Sequence, residues 1–180
     1  MKIGIISDTH DDVTNINKAI EIFEKNEIES IIHAGDIISP PMVKEFKKIT
    51  KKGVSFFGVF GNNDGERKGL KNAFEFIGGN LLGDEGKIEM DGLKFCIYHG
   101  QDIRKKEKLI NSQKFDVFIY GHSHTKDCNI VKNKKRETIV LNPGSSHSQA
   151  LTNFSQPQYF PAPSIIIFDT TTKEVVFMDL

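Results

Sequence analysis

Short apolar runs alternate along this chain with stretches in which apolar residues recur every three or four positions. The first run, Ile3 to Ser7, is ended by Asp8-Thr9-His10. Val13, Ile16, Ala19, Ile20 and Phe23 follow at helical spacing, with Asp11 or Asp12 placed to cap the helix start. Ser30 to His33 then reads as a buried strand, Gly35-Asp36 as a turn, and Ser39-Pro40-Pro41 as an N-cap followed by first-turn prolines. Met42, Phe46 and Ile49 form the face of that second helix. A third unit has a strand over Val54 to Phe60, the loop Gly61-Asn62-Asn63-Asp64, and a helix carrying Leu70, Ala73, Phe74 and Ile77, closed by Gly78-Gly79. Consecutive strand-loop-helix units predict a parallel sheet flanked by helices.

Beyond Gly79 the grammar changes. Ile88-Glu89-Met90 and Leu93-Lys94-Phe95 flank Asp91-Gly92, a two-residue hairpin signal, so the second half leans antiparallel. The strand Leu93 to Tyr98 ends at His99-Gly100, and a short charged helix is predicted from Asp102 to Asn111. The apolar run Phe115 to Tyr120 stops at Gly121 and delivers His122-Ser123-His124. Strands at about 129–132, 137–141, 164–169 and 174–178 complete the chain. The expectation is an α/β fold of two packed mixed sheets with helices outside, residues 1–180 forming a single domain. Asn142-Pro143-Gly144-Ser145 opens a polar stretch reaching residue 163, with Phe154, Tyr159 and Phe160 in it; a loop of that length often borders a site.

Composition adds little steering. The 180 residues hold 24 Lys+Arg and 24 Asp+Glu, so net charge directs the protein neither to nucleic acid nor to a membrane surface. Arg104-Lys105-Lys106 and Lys132 to Arg136 lack interleaved aromatics and read as solvated faces; nucleic acid is expected only as a substrate. Ile3 to Ile6 is too short for a signal peptide or a membrane span, and a cytoplasmic location is expected. Cys96 and Cys128 are not in a CxxC spacing, and both are expected to be reduced and non-catalytic.

The chemistry-bearing residues cluster at strand ends. Asp8, His10, Asp36, Asn62, His99, His122 and His124 each lie just beyond an apolar run. In extended backbone, residues i and i+2 face one side with Cβ atoms about 6 to 7 Å apart. His122 and His124 can thus reach two ions held about 3.5 to 4 Å apart. In an open α/β sheet the carboxyl ends of strands converge on one crevice. Imidazole and carboxylate without thiolate suit divalent Mn, Fe, Ni, Co or Zn. Asp36 is the expected bridge, because a carboxylate between two cations is worth most there. Such a pair holds a bridging hydroxide near neutral pH and clamps a phosphoryl group for in-line attack, which favours phosphoester hydrolysis.

Taken singly, most of these residues have plainer readings. Asp8 suits an N-cap or a turn, His10 a loop, and His99 a hydrogen-bonded core histidine; Asp36, Asn62 and Asp64 suit turns. Paired imidazoles at 122 and 124 are the hardest to explain as packing. His33 reads as a satisfied core histidine or a partner to a ligand, and His147 as a solvent-facing loop residue.

Asp8-x-His10, Gly35-Asp36, Gly61-Asn62-Asn63-Asp64, His99-Gly100 and Gly121-His122-Ser123-His124 resemble, in order, the motifs of the calcineurin-like metallophosphoesterases. Asn142 to Ser145 resembles a further signature of their small single-domain phosphodiesterase branch. The resemblance implies a four-layer α/β/β/α sandwich and a two-metal phosphodiesterase. Asp8, His10, Asp36 and His124 would hold one ion, Asp36, Asn62, His99 and His122 the other, with Mn2+ first among candidates and Ni2+, Co2+, Fe2+ or Zn2+ as alternatives. Asn63 and Asp64 are the candidate catalytic-loop residues, Asp64 orienting a neighbour instead of binding metal. Many relatives carry a leaving-group-protonating His where this chain has Asn63. An amide donates hydrogen bonds but cannot act as a general acid, so a bias toward small diesters with good leaving groups is expected. The arginine expected after Ser145 is also missing. Competing readings are a scaffold like the retromer subunit of this fold, and a phosphomonoesterase or protein phosphatase. A homodimer through a sheet edge or the 146–163 loop is compatible with the sequence.

Overall fold

The computed structural model describes residues 1–132, 137–148 and 161–180. In chain order its elements are β1 (Lys2–Ile6), α1 (Val13–Lys25), β2 (Ser30–His33), α2 (Pro40–Glu45), α3 (Lys47–Thr50), β3 (Ser55–Gly58), α4 (Arg67–Phe76) and β4 (Asn80–Leu81). There follow β5 (Glu85–Met90), β6 (Leu93–Tyr98), α5 (Ile103–Asn111), β7 (Val117–Ile119), β8 (Lys126–Lys132), β9 (Glu137–Pro143), β10 (Ser164–Asp169) and β11 (Val175–Asp179). They build one sheet of order β11-β10-β1-β2-β3-β4 and another of order β5-β6-β7-β9-β8. Both are mixed: β1 runs parallel to β2 and antiparallel to β10, while β7 is parallel to β6 and β9, and β8 is antiparallel to β9.

Side-chain alternation sorts the core into layers. On β1, Ile3 and Ile5 join Phe95, Ile97, Val117, Ile119 and Leu141 of the second sheet in a core between the sheets. Ile6 faces the other way, packing with Ile16 and Phe23 of α1, Phe46, Phe56 and Phe74. On the far side of the second sheet, Cys96, Tyr98 and Phe118 pack against Leu109 and Ile110 of α5. The order is helix, sheet, sheet, helix, as the motif resemblance implied. Period-2 alternation of wholly apolar strands makes this possible, since each strand must cover two cores.

Asp12 caps α1, accepting from the Asn15 N–H. The helix expected across Met42 to Ile49 is two short helices meeting at Phe46, whose N–H bonds back to the Val43 carbonyl. Ser39 does not cap by its side chain; its hydroxyl donates to Asp11 Oδ1 at 2.7 Å. The third strand is shorter than Val54 to Phe60, because Phe60 N–H turns out of the ladder to the Gly83 carbonyl at 2.8 Å. Two-residue β4 is too short to show any period, and β8 begins at Lys126, earlier than expected, because its polar start still pairs with β9 up to Pro143. The Asp91-Gly92 hairpin forms as expected. Residues 133–136 of the second basic cluster, and Phe154, Tyr159 and Phe160, lie outside the described residues.

Gly4 is the contact point between β1 and α1. A Cβ there would lie 2.5 Å from the buried Phe23 ring. Gly4→Ala is expected to overpack this layer and cost about 1–3 kcal/mol, read as a fall of several degrees in melting temperature with unchanged far-UV circular dichroism.

Candidate metal centre

Five strands, β1, β2, β3, β6 and β7, end along one edge, and the loops they release carry the polar cluster. Five of its residues leave their strands in left-handed backbone: Asp8 (φ 53°), His10 (40°), Asp36 (56°), His122 (65°) and His124 (56°). Asp and His accept that region more readily than most side chains, and strain of this kind persists where surrounding bonds over-determine it. Two glycines let the loops close. A Cβ on Gly61 would overlap Asp36 Oδ1, and one on Gly121 would overlap Ser7 Oγ and crowd Asp8.

Asp8 Oδ1 lies 3.2 Å from His124 Nε2 and 3.9 Å from both His10 Nε2 and His99 Nε2. Asp36 Oδ2 lies 3.3 Å from His99 Nε2 and 3.7 Å from His10 Nε2. The donors form two groups, Asp8 with His10 and His124, and Asp8 with Asp36 and His99. Asp8 is common to both, while Asp36 reaches the two rings that the motif resemblance assigns to different ions. His122 stands outside these groups. It is exposed, with its ring edge-on to His99 at 5.2 Å, and its N–H donates to Asp8 Oδ2 at 3.1 Å. Asn62 directly follows Gly61 and is exposed at the rim.

His99 tests whether a cation fits. Its Nδ1 lies 2.8 Å from the Ala34 carbonyl oxygen, which can only accept, so Nδ1 carries the proton. In the neutral ring, Nε2 then turns a lone pair toward two carboxylates. Both His99 Nε2 and His10 Nε2 are buried without a hydrogen-bond partner. Lone pairs converging in a buried space call for positive charge between them, and the donor set fits divalent ions. The titration tendencies divide the rings. Burial raises the Asp36 carboxyl, but His99 and the Asn63 N–H groups outweigh it and hold Asp36 well below the carboxylate range. Burial lowers His99, yet Asp36 and Asp8 bring it above its ordinary value. The bond to Asp8 raises His124, whereas burial lowers His10 and His122.

An outer ring of contacts fixes these groups. Ser7 Oγ donates to Asp8 Oδ2 at 2.6 Å. Asp64 accepts four backbone N–H groups: Asp36 at 3.1 Å and Gly61 at 2.7 Å on Oδ2, Ile37 at 2.8 Å and Ile38 at 2.7 Å on Oδ1. It therefore ties the β2 loop to the β3 loop and holds Ile38 at φ 81°, a costly angle for a β-branched residue. Asn63 donates to Asp36 through N–H at 2.9 Å and Nδ2 at 2.7 Å. His33 is buried, its Nδ1 accepting from the Gly35 N–H and its Nε2 bonding Thr9 Oγ1. Sequence reasoning missed Ser7, Asn142 and Ser145 as supports. Asn142 Nδ2 donates to the Gly121 carbonyl and Ser123 Oγ, each at 3.0 Å, and Ser145 Oγ donates to the Asp8 carbonyl at 3.0 Å. Their signal was Asn-Pro-Gly-Ser at a strand end, a motif with no visible partner in one dimension.

Comparison with known proteins agrees with this geometry. A sequence model of the calcineurin-like phosphoesterase superfamily domain matches residues 1–173. A phosphodiesterase of Methanocaldococcus jannaschii is 41% identical over 175 residues, covering 97% of this chain and 96% of that protein. A solved structure described as a novel archaeal phosphodiesterase superposes with a TM-score of 0.85 at 39% identity, over 100% of both chains. A zinc-bound Vps29 from Entamoeba histolytica shares the fold at a TM-score of 0.62 and 19% identity, over 98% of this chain and 90% of that one.

Asp64→Ala strands four N–H groups and is expected to destabilise the protein by about 3 kcal/mol or more. Asp64→Asn, which keeps acceptor capacity on one atom, should lose less. Chemical denaturation of both variants checks the order, and equal losses would contradict the role given to the carboxylate.

Proposed function

The chain belongs to the calcineurin-like phosphoesterase superfamily, and we propose that it is a phosphodiesterase working through two divalent ions, Mn2+ foremost, with Ni2+, Co2+, Fe2+ and Zn2+ as alternatives. The observation that carries this is the buried His99 Nε2, turned toward Asp8 and Asp36 with Nδ1 committed to a carbonyl. The named activity of the 41% identical relative supports it. Asp8, His10, Asp36 and His124 would hold one ion, and Asp36, Asn62, His99 and His122 would hold the other. Bound there, the ions would supply a water of lowered pKa as nucleophile and would neutralise charge on the phosphoryl oxygens.

The chain's own residues do the positioning. Asn63 holds both oxygens of Asp36, so this carboxylate is fixed before any ligand arrives. One Nδ2 hydrogen serves Asp36, and the second is available for a phosphate oxygen. Neither can be given up as a proton, so the leaving group departs on its own basicity, which favours activated diesters. Asp64 orients the loops and touches only backbone N–H groups, a positioning role.

A scaffold reading calls for a large apolar patch away from the site. Among the described residues, the exposed large hydrophobics Val13, Phe76, Ile103, Ile130 and Val176 lie on five different elements, and Lys47 Nζ covers Phe76 at 3.6 Å. Each ligand position also holds a competent donor, which favours the enzyme. Free Cys96 and Cys128 suit a reducing compartment, and we place the protein in the cytoplasm. Among the described residues, no helix is long and apolar enough to cross a membrane.

Metal-stripped protein titrated with Mn2+ should gain hydrolysis of bis(p-nitrophenyl) phosphate, and His122→Ala with His124→Ala should lower it by a factor of about 100 or more. Asn63→His should raise turnover of alkyl esters relative to the activated diester. Equal wild-type rates on alkyl monoesters and activated diesters would sink the leaving-group argument.

A further inference from the structure

Beside the metal centre lies a cavity of ≈ 280 Å³, walled by His122, His124, Ser123, Thr125, Ser145 and His147. His147 is a loop histidine in the sequence, yet the structure anchors it from several sides. Its N–H donates to the Asp8 carbonyl at 3.2 Å and to Ser145 Oγ at 3.1 Å. Ser148 N–H donates to Asp12 Oδ2 at 2.9 Å, and buried Asn15 donates to the Ser146 carbonyl at 2.9 Å and Ser148 Oγ at 2.8 Å. The start of α1 thereby clamps the segment on both sides of His147. The ring stands 5.7 Å from that of His10, so it borders the metal centre directly.

Orientation decides what the ring can do. Nδ1 is buried and faces Asp12 Oδ2 at 3.6 Å, slightly beyond hydrogen-bond length. A lone pair facing a carboxylate is repelled and an N–H is attracted, so Nδ1 carries the proton of the neutral ring. The part of the ring left to line the cavity is its Nε2 edge, an acceptor. Elsewhere on the wall, the Thr125 hydroxyl donates to the Ser123 carbonyl and the Ser145 hydroxyl to the Asp8 carbonyl. A phosphate oxygen, itself an acceptor, gains nothing from Nε2; a hydroxyl does.

We propose that the cavity receives a hydroxyl-bearing alkyl substituent of the diester, and that His147 Nε2, oriented by Asp12, accepts the hydrogen bond from that hydroxyl. This rests on the phosphodiesterase reading and names its substrate class, a phosphodiester of a polyol or sugar alcohol group instead of a plain alkyl group. His147 is then a specificity-determining residue, not a proton donor.

The test uses two p-nitrophenyl diesters with the same leaving group, one carrying an ω-hydroxybutyl group and the other a butyl group. With Mn2+-loaded wild type, the hydroxylated ester is expected to have a KM lower by about three- to tenfold, the worth of one neutral hydrogen bond. In His147→Phe the ratio of the two KM values should fall to about one; being measured on one preparation, this ratio is insensitive to the fraction folded. A second readout needs no turnover. In metal-free, 15N-labelled protein at neutral to alkaline pH, the imidazole shifts of His147 should report the Nδ1–H tautomer. Equal KM values in wild type, a preference that survives in His147→Phe, or an Nε2–H tautomer would each overturn the proposal. If neither ester is cleaved with any of the ions, the phosphodiesterase reading itself falls, and the inference with it.

Discussion

Two buried carboxylates, Asp8 and Asp36, face the same imidazole nitrogens, and the rest of the structure depends on that crowding being offset by positive charge. Burying one carboxylate without a partner is costly; burying two against ring lone pairs is costlier. The chain meets this partly from within. Ser7 Oγ and the His122 N–H donate to Asp8, and the backbone N–H and Nδ2 of Asn63 donate to Asp36. These bonds point inward from the loops and leave the His10 and His99 Nε2 atoms still unmatched. The remaining demand is for cations held between donors that already stand in place.

The fold answers that demand through its strand ends. Parallel pairing of β1, β2 and β3 brings the Asp8, Asp36 and Asn62 loops side by side, and β6 and β7 of the other sheet bring His99 and the His122–His124 loop to the same edge. Neither sheet alone holds a complete set. The core between the sheets, from Ile3 and Ile5 to Phe95 and Val117, therefore also fixes the distance between the candidate ligands. Asp64 on one side, with Asn142 and Ser145 on the other, transmits that rigidity into the loops.

Much of this was legible in one dimension because the governing signals are local. Apolar runs ending in Asp, His or Gly-Asp marked strand ends, and wholly apolar strands announced burial on both faces. What stayed hidden depends on partners far along the chain. Asp64 looks like a turn residue until Ile37 and Ile38, 27 and 26 positions away, turn their N–H groups onto it. Asn63 invited a substrate role, but in the structure its side chain first serves Asp36. The break at Phe46 followed from packing, since Val43, Phe46 and Ile49 all bury their side chains across the helix junction. His147 read as a solvent residue because nothing in its neighbourhood shows Asp12 and Asn15 reaching across more than 130 positions.

The central claim is that the carboxylates and imidazoles of this edge form one centre for two ions. Metal content after equilibrium dialysis of stripped protein against Mn2+ tests it most directly, by comparing wild type with Asp36→Ala, the carboxylate shared by the two proposed ligand sets, whose Oδ2 faces both His10 and His99. The account predicts two ions per wild-type chain and the loss of both affinities together in the variant. One ion or none in folded wild-type protein, or a variant that keeps two, would contradict it.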